Sequence, residues 1–204
     1  MNKLCCPVNI TIEQNWDSIR ALYRTVFDKQ KLGKLDHDLI EVDEWGGTQY
    51  NLDRHGSLML SQRLSPNWGS LSGPILNRLL PWHKQVVEIF KPLNFGMVIW
   101  SDTIADVTRH VDAKISEEYS LPQCKINYIV SSEDQLAKTI VYDSNEDSYY
   151  ESYPSTLNHA WLLNTSHPHE IWSKGHREIL QFKFFNHYDD VADFLKQVGP
   201  ITLK

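Results

Sequence analysis

His110 and Asp112 stand at i and i+2, and further along the segment Asn164-Thr165-Ser166-His167-Pro168-His169 is followed by Arg177. Successive side chains alternate along a β-strand, so His110 and Asp112 would share one face. A second imidazole from a distant strand completes two histidines and one carboxylate. That facial set leaves coordination positions open on a non-haem Fe(II) centre, and open positions are what a co-substrate and O2 both require. An Arg on the following strand could hold the far carboxylate of a dicarboxylate co-substrate through its planar fork. His167 and His169 have the same strand parity, so either could supply the third ligand. A His-x-Asp match is weak by itself: with 9 His in the chain a second one occurs, at His187-Tyr188-Asp189. No His or Arg follows that copy in a matching order, and it opens a helix, so it is set aside.

These residues need strands to carry them, and the last apolar run provides a consistent parity. In Arg177-Glu178-Ile179-Leu180-Gln181-Phe182-Lys183-Phe184, the residues Leu180, Phe182 and Phe184 share one face, and Arg177, Ile179 and Gln181 share the other. The first set can pack under helices, which turns Arg177 into the interior, where a cation is costly unless an anion meets it. Between His169 and Arg177 lies Ser173-Lys174-Gly175-His176, a hairpin turn with Gly175 able to take a positive φ. From Gly96 onward, short runs alternate with turn signals: 97–100, 107–113, 124–130, 138–142, 160–164, 169–172 and 177–185. Many short strands with few helices predict a mainly β jelly roll or cupin-like barrel.

Helices are predicted at the edges. The first covers 13–30, with Ile19, Leu22, Tyr23 and Phe27 on one face. The second covers 81–92, with Pro81 near its first turn and Val86, Val87 and Phe90 on its apolar side. A short closing helix starts at Tyr188 and ends at Gly199. The segment 43–74, with Trp45, Tyr50, Arg54, Arg63 and Trp68, reads as a long loop and a candidate lid. The acidic stretch from Asp143 to Glu151 reads as another loop near the barrel mouth. This gives one domain over 1–204: a helical and loop region at 1–95, a β core at 96–185, and a helix and tail at 186–204.

Composition excludes more than it selects. A hydrophobic share of 41% and a charged share of 23% suit a soluble globular domain. A net charge of −6 gives no electrostatic footprint for nucleic acid or an anionic membrane, and neither is expected as a partner. No apolar run has the length of a membrane span. Cys5, Cys6 and Cys124 make no disulfide framework, and no secretory signal opens the chain, so a reducing, cytoplasmic setting is expected.

The stretches Arg109-His110-Val111-Asp112, Lys125-Ile126-Asn127-Tyr128, Thr139-Ile140-Val141-Tyr142, Leu163 to Ile171 and Arg177 to Phe182 resemble the Fe(II)/2-oxoglutarate-dependent oxygenases, within them the aspartyl/asparaginyl β-hydroxylase-like branch. The resemblance covers about half of the chain and implies a double-stranded β-helix. It implies Fe(II) on His110, Asp112 and His169, with 2-oxoglutarate held by Arg177 and contacted by Asn127, and O2 as oxidant. The longer spacing to the Arg seen in many relatives favours His167 as third ligand. The register of Asn164 to His169 and the short turn favour His169, which we take. His167 is then a support for the ligands, a substrate contact or an exposed residue. Arg109 points away from the metal face by parity. Retention of Asp112 implies hydroxylation over halogenation, on an amino acid, a peptide side chain or a small metabolite. Two other classes share the barrel: a cupin-type metalloprotein with non-oxidative activity, and a non-catalytic binding module.

Overall fold

The computed structural model describes residues 4–21, 59–61, 68–72, 80–104, 106–112, 122–144 and 149–204. Among them the chain forms β1 (Cys5–Val8), β2 (Ile10–Ile12), β3 (Met59–Ser61), β4 (Trp68–Ser72), α1 (His83–Ile89), β5 (Phe95–Ile104), β6 (Val107–His110) and β7 (Cys124–Ser132). It continues through β8 (Lys138–Tyr142), β9 (Tyr150–Pro154), β10 (Ala160–Asn164), β11 (His169–Trp172), β12 (His176–Phe184), α2 (Tyr188–Val198) and β13 (Ile201–Leu203). A helical stretch also runs over 17–21.

A seven-stranded sheet has the order β1-β10-β7-β12-β5-β4-β3, and a four-stranded sheet the order β6-β11-β8-β9. From β5 to β12 the chain passes repeatedly between the two sheets, with β8 and β9 paired as a hairpin within the smaller one. Antiparallel pairing throughout both sheets and this winding make a double-stranded β-helix, the jelly roll of the cupins. β13 pairs in parallel with β2 and ties the C-terminal segment to the N-terminal one.

The apolar core lies outside the barrel. Phe182, Phe184, Leu180, Ile126, Tyr128, Trp100 and Leu162 project from the outer face of the large sheet. Against them pack Trp82, Val86 and Phe90 around α1, Val191 and Ala192 of α2, and Ile19. Phe90 meets Phe184 edge-on with centroids 5.0 Å apart, a favoured aromatic geometry. Each such side chain contributes about 1.5–3 kcal/mol by leaving water. The inner faces are mixed: Val141, Tyr153 and Leu163 form a smaller apolar cluster with Leu4 and Cys5, and Ser101, Lys125, Asn127, Thr139, Ser155, His169, Arg177 and Gln181 are buried polar or charged groups. A partly polar interior held by an apolar exterior is a scaffold for a site.

Several predicted elements shift. The second helix is shorter than 81–92, and Val87 is 42% exposed, so its apolar face is Val86 and Phe90. Of the helix predicted over 13–30, the described part is helical at 17–21, with Ile19 buried; Leu22, Tyr23 and Phe27 lie outside the described residues. Within the predicted 43–74 loop, β3 and β4 extend the large sheet beyond β5. Trp45, Tyr50, Arg54 and Arg63, and with them the lid, lie outside the described residues. The acidic stretch read as a loop ends in strand β9. Gly175 has no positive φ; its constraint is space, since a Cβ there would sit 3.1 Å from Glu133 Cβ. Among the described residues no helix is long and apolar enough to cross a membrane.

Candidate metal centre

His110 closes β6, and His169 opens β11 directly opposite it in the antiparallel register. Paired residues on neighbouring strands share a face, so the two imidazoles meet with ring centroids 4.4 Å apart. Asp112 lies just beyond the end of β6, which is shorter than the predicted 107–113, yet its carboxylate returns to the same place. Oδ1 of Asp112 is 3.2 Å from His110 Nε2 and 3.5 Å from His169 Nε2. The three ligand atoms lie within 4.8 Å of one another, close enough to hold one metal ion.

The outer ring nitrogens fix which atoms face inward. His110 Nδ1 donates to the Thr108 carbonyl at 2.8 Å, and His169 Nδ1 donates to the His167 carbonyl at 3.0 Å. A carbonyl only accepts, so each Nδ1 carries the proton and each Nε2 presents a lone pair. Such anchoring is what metal-bound imidazoles use to hold orientation and tautomer. His169 Nε2 is buried and has no hydrogen-bond partner among the described residues. A cation could satisfy an orphaned buried acceptor of this kind. Burial pushes the His169 pKa down, and Lys125 lowers it further against the opposing pull of Asp112, keeping the ring neutral.

Asp112 is held as an anion. Burial pushes its pKa up, but the charge of Lys125 and the neighbouring imidazoles outweigh that and leave it well below the usual carboxylate range. Lys125 Nζ sits 2.6 Å from Oδ2, so one carboxylate oxygen is occupied and Oδ1 faces the imidazoles. His167 goes elsewhere: its Nδ1 accepts from the Ser144 amide at 3.1 Å, and its contribution to the centre is the carbonyl that anchors His169. Arg109 stacks over the Tyr142 ring at 3.9 Å on the outer face of the small sheet, away from the ligands as its parity requires.

Arg177 is fully buried on the inner face, near the start of β12. Its Nη1 donates to Ser155 Oγ at 2.8 Å and Thr139 Oγ1 at 3.2 Å. Thr139 pairs with Ile171 and Val141 with His169, so this cluster lies two residues, about 7 Å, deeper along the small sheet than the imidazoles. Burial lowers the Arg177 pKa to about 10, which leaves the guanidinium charged at neutral pH. Asn127 joins the same interior, donating to the Tyr153 hydroxyl at 2.8 Å, while its own Oδ1 is buried without a hydrogen bond among the described residues. Tyr153 stacks on Trp161 at 5.0 Å and closes that side.

Sequence reading missed Thr139, Ser155 and Tyr153 as partners of this interior, and gave Lys125 and Lys183 no role. The lysines were legible: Lys183 has the parity of Arg177 on β12, and Lys125 the parity of Asn127 on β7. Tyr153 belongs to β9 and Ser155 directly follows it, and the polar sequence there gives no strand signal.

No family model and no curated protein matches the chain. Among solved structures it is similar to a prolyl-4-hydroxylase from Pseudomonas putida, at 10% identity and TM-score 0.45, over 89% of this chain and 91% of that one. It is also similar to a 2OG-Fe(II) oxygenase family protein from Burkholderia pseudomallei, at 12% identity and TM-score 0.42, over 65% and 66% of the two chains. A cupin-2 domain protein from Shewanella frigidimarina shares 6% identity at TM-score 0.30, over 45% of this chain and 71% of that one. Likenesses of this order decide nothing about activity; the jelly roll stands on its own strand order, and the function must be argued from the site.

Proposed function

We propose that the chain is an Fe(II)- and 2-oxoglutarate-dependent dioxygenase of the aspartyl/asparaginyl β-hydroxylase-like branch, hydroxylating an amino acid, a peptide side chain or a small metabolite. The observation that carries this reading is the pairing of two sites in one barrel: a His110–Asp112–His169 cluster with both Nε2 lone pairs turned inward, and a buried Arg177 one step deeper. A metalloprotein without a dicarboxylate co-substrate would have no use for Arg177 as a dicarboxylate clamp.

His110, Asp112 and His169 would hold Fe(II), and the donor set of two nitrogens and one oxygen suits it. Bound iron supplies the activation of O2, coupled to oxidative decarboxylation of 2-oxoglutarate to succinate and CO2. The chain's own groups do the rest. The Thr108 and His167 carbonyls keep the two imidazoles in one tautomer and orientation. Lys125 holds the second oxygen of Asp112, so that the first remains turned toward the imidazoles. Arg177, steadied by Thr139 and Ser155, meets the distal carboxylate of 2-oxoglutarate, and the Asn127 amide lies beside the path between the two ends. Trp161 and Tyr153 keep water from that side. A reducing, cytoplasmic setting belongs to the same reading, from three cysteines too few to make a disulfide framework.

The deciding experiment is an anaerobic titration of Fe(II)-loaded protein with 2-oxoglutarate, followed by visible absorption. A metal-to-ligand charge-transfer band is expected on chelation of the keto acid. Tight iron binding without that band would overturn the oxygenase reading in favour of a non-oxidative cupin.

A further inference from the structure

The floor beside the metal cluster carries a second lysine that the proposed reaction does not use. Lys183 on β12 stands directly opposite Lys125 on β7. Phe182 and Phe184 belong to the outer apolar core, so Lys183 between them faces the interior, on the side of Lys125 and Asp112. Like charges directly opposite on neighbouring strands destabilise a sheet, and more so where water is scarce. Lys125 is matched by Asp112 at 2.6 Å. The Lys183 ammonium forms no hydrogen bond or ion pair among the described residues. Burial pushes its pKa down, the field of Asp112 raises it and that of Lys125 lowers it; among the described residues a single carboxylate, Asp112, faces the two lysines. The next inward residue on β12, Gln181, is buried and adds an amide beside them.

We propose that Lys183, next to Lys125, forms an anion subsite that takes a carboxylate of the substrate to be oxidised. Two lysines against one carboxylate among the described residues suit a carboxylate monoanion better than a phosphate dianion. The subsite lies on the face that carries Asp112, so a substrate anchored there is held beside the metal cluster, whereas the co-substrate's distal carboxylate belongs to Arg177 deeper in the barrel. The assignment of this anion to the substrate rests on the oxygenase reading; the subsite itself does not.

The test uses acetate as probe and acetamide as its neutral counterpart, titrated into 15N-labelled full-length protein loaded with Zn(II) and 2-oxoglutarate. Saturable amide shifts at Lys125 and Lys183 are expected with acetate and not with acetamide. Lys183→Gln should weaken acetate by about tenfold or more, the loss of one charge-assisted hydrogen bond, and Lys183→Arg should retain it. Both variants should bind 2-oxoglutarate as the parent does. Lys183→Met, which keeps the apolar stem, serves if Lys183→Gln does not fold. Absence of acetate shifts, or equal acetate affinity without the Lys183 ammonium, overturns the subsite. If 2-oxoglutarate fails to shift residues around Arg177, the oxygenase reading falls instead, and acetate titration of the metal-free protein still decides the subsite.

Discussion

Asp112 serves two neighbours at once. One oxygen faces both imidazoles, and the other takes the Lys125 ammonium at 2.6 Å. Removing it should therefore have two separable effects. Asp112→Ala is expected to lose more than about a hundredfold in Mn(II) affinity, beyond what an outer-sphere partner contributes. It also leaves Lys125 with a side chain only 9% exposed and no partner, which should lower stability by about 3 kcal/mol in urea unfolding. Adding Lys125→Met to Asp112→Ala should return most of that stability and none of the metal affinity. A double variant as unstable as Asp112→Ala would show that the pair is not what burial makes costly. Parity along one strand made His110 and Asp112 legible as a pair; the partnership with Lys125 was not, because it joins a strand end to a different sheet.

At the scale of elements, the small sheet holds its strands in register by a ladder on its outer face. Arg109 covers the Tyr142 ring, the Tyr142 hydroxyl donates to Glu170, and Trp172 Nε1 donates to the same carboxylate at 2.8 Å. β6, β11 and β8 are thereby tied together behind the two imidazoles. Burial pushes the Tyr142 phenol up, the Glu170 carboxylate pushes it further, and the result is about 12. The neutral phenol is thus favoured in the folded state, so its contribution is complete below about pH 10 and is lost as the pH rises toward about 12. Thermal melts across that window should show a fall in midpoint that Tyr142→Phe flattens; an unchanged slope would remove Tyr142 from the account. Elements with a clean period were readable: the predicted limits of β8, β10 and β11 match those observed, and α2 ends before Gly199 at φ 73. β9 was not, because Tyr150-Glu151-Ser152-Tyr153-Pro154 becomes a strand only through pairing with β8, where Glu151 also caps the Leu4 and Cys5 amides.

For the molecule as a whole, the apolar core on the outer face of the large sheet carries stability, and the barrel interior is free to be polar. That division predicts a strong response to ligands, because buried Arg177, His169 and Asn127 gain partners when the interior fills. With Mn(II) and 2-oxoglutarate each present at about a hundred times its dissociation constant, the 2-oxoglutarate increment should be about 2.7 kcal/mol. In a chain of this size that corresponds to a rise of about 5–10 °C in the melting midpoint. Arg177→Met, which keeps the volume but not the charge, should retain the Mn(II) increment and lose that of 2-oxoglutarate. Equal increments in both proteins would exclude Arg177 as the clamp.

The sequence by itself determined the jelly roll, the strands that carry His110, His169 and Arg177, and the inward direction of Arg177, because each follows from local alternation between an apolar and a polar face. Tertiary structure decided the rest. It set His169 across from His110 and gave the His167 ring to Ser144. It brought Thr139 and Ser155 to Arg177, and set Lys183 against Lys125 beside Asp112. These are contacts between residues far apart in the chain, and register between strands, unlike alternation along one, leaves no period in the sequence to read.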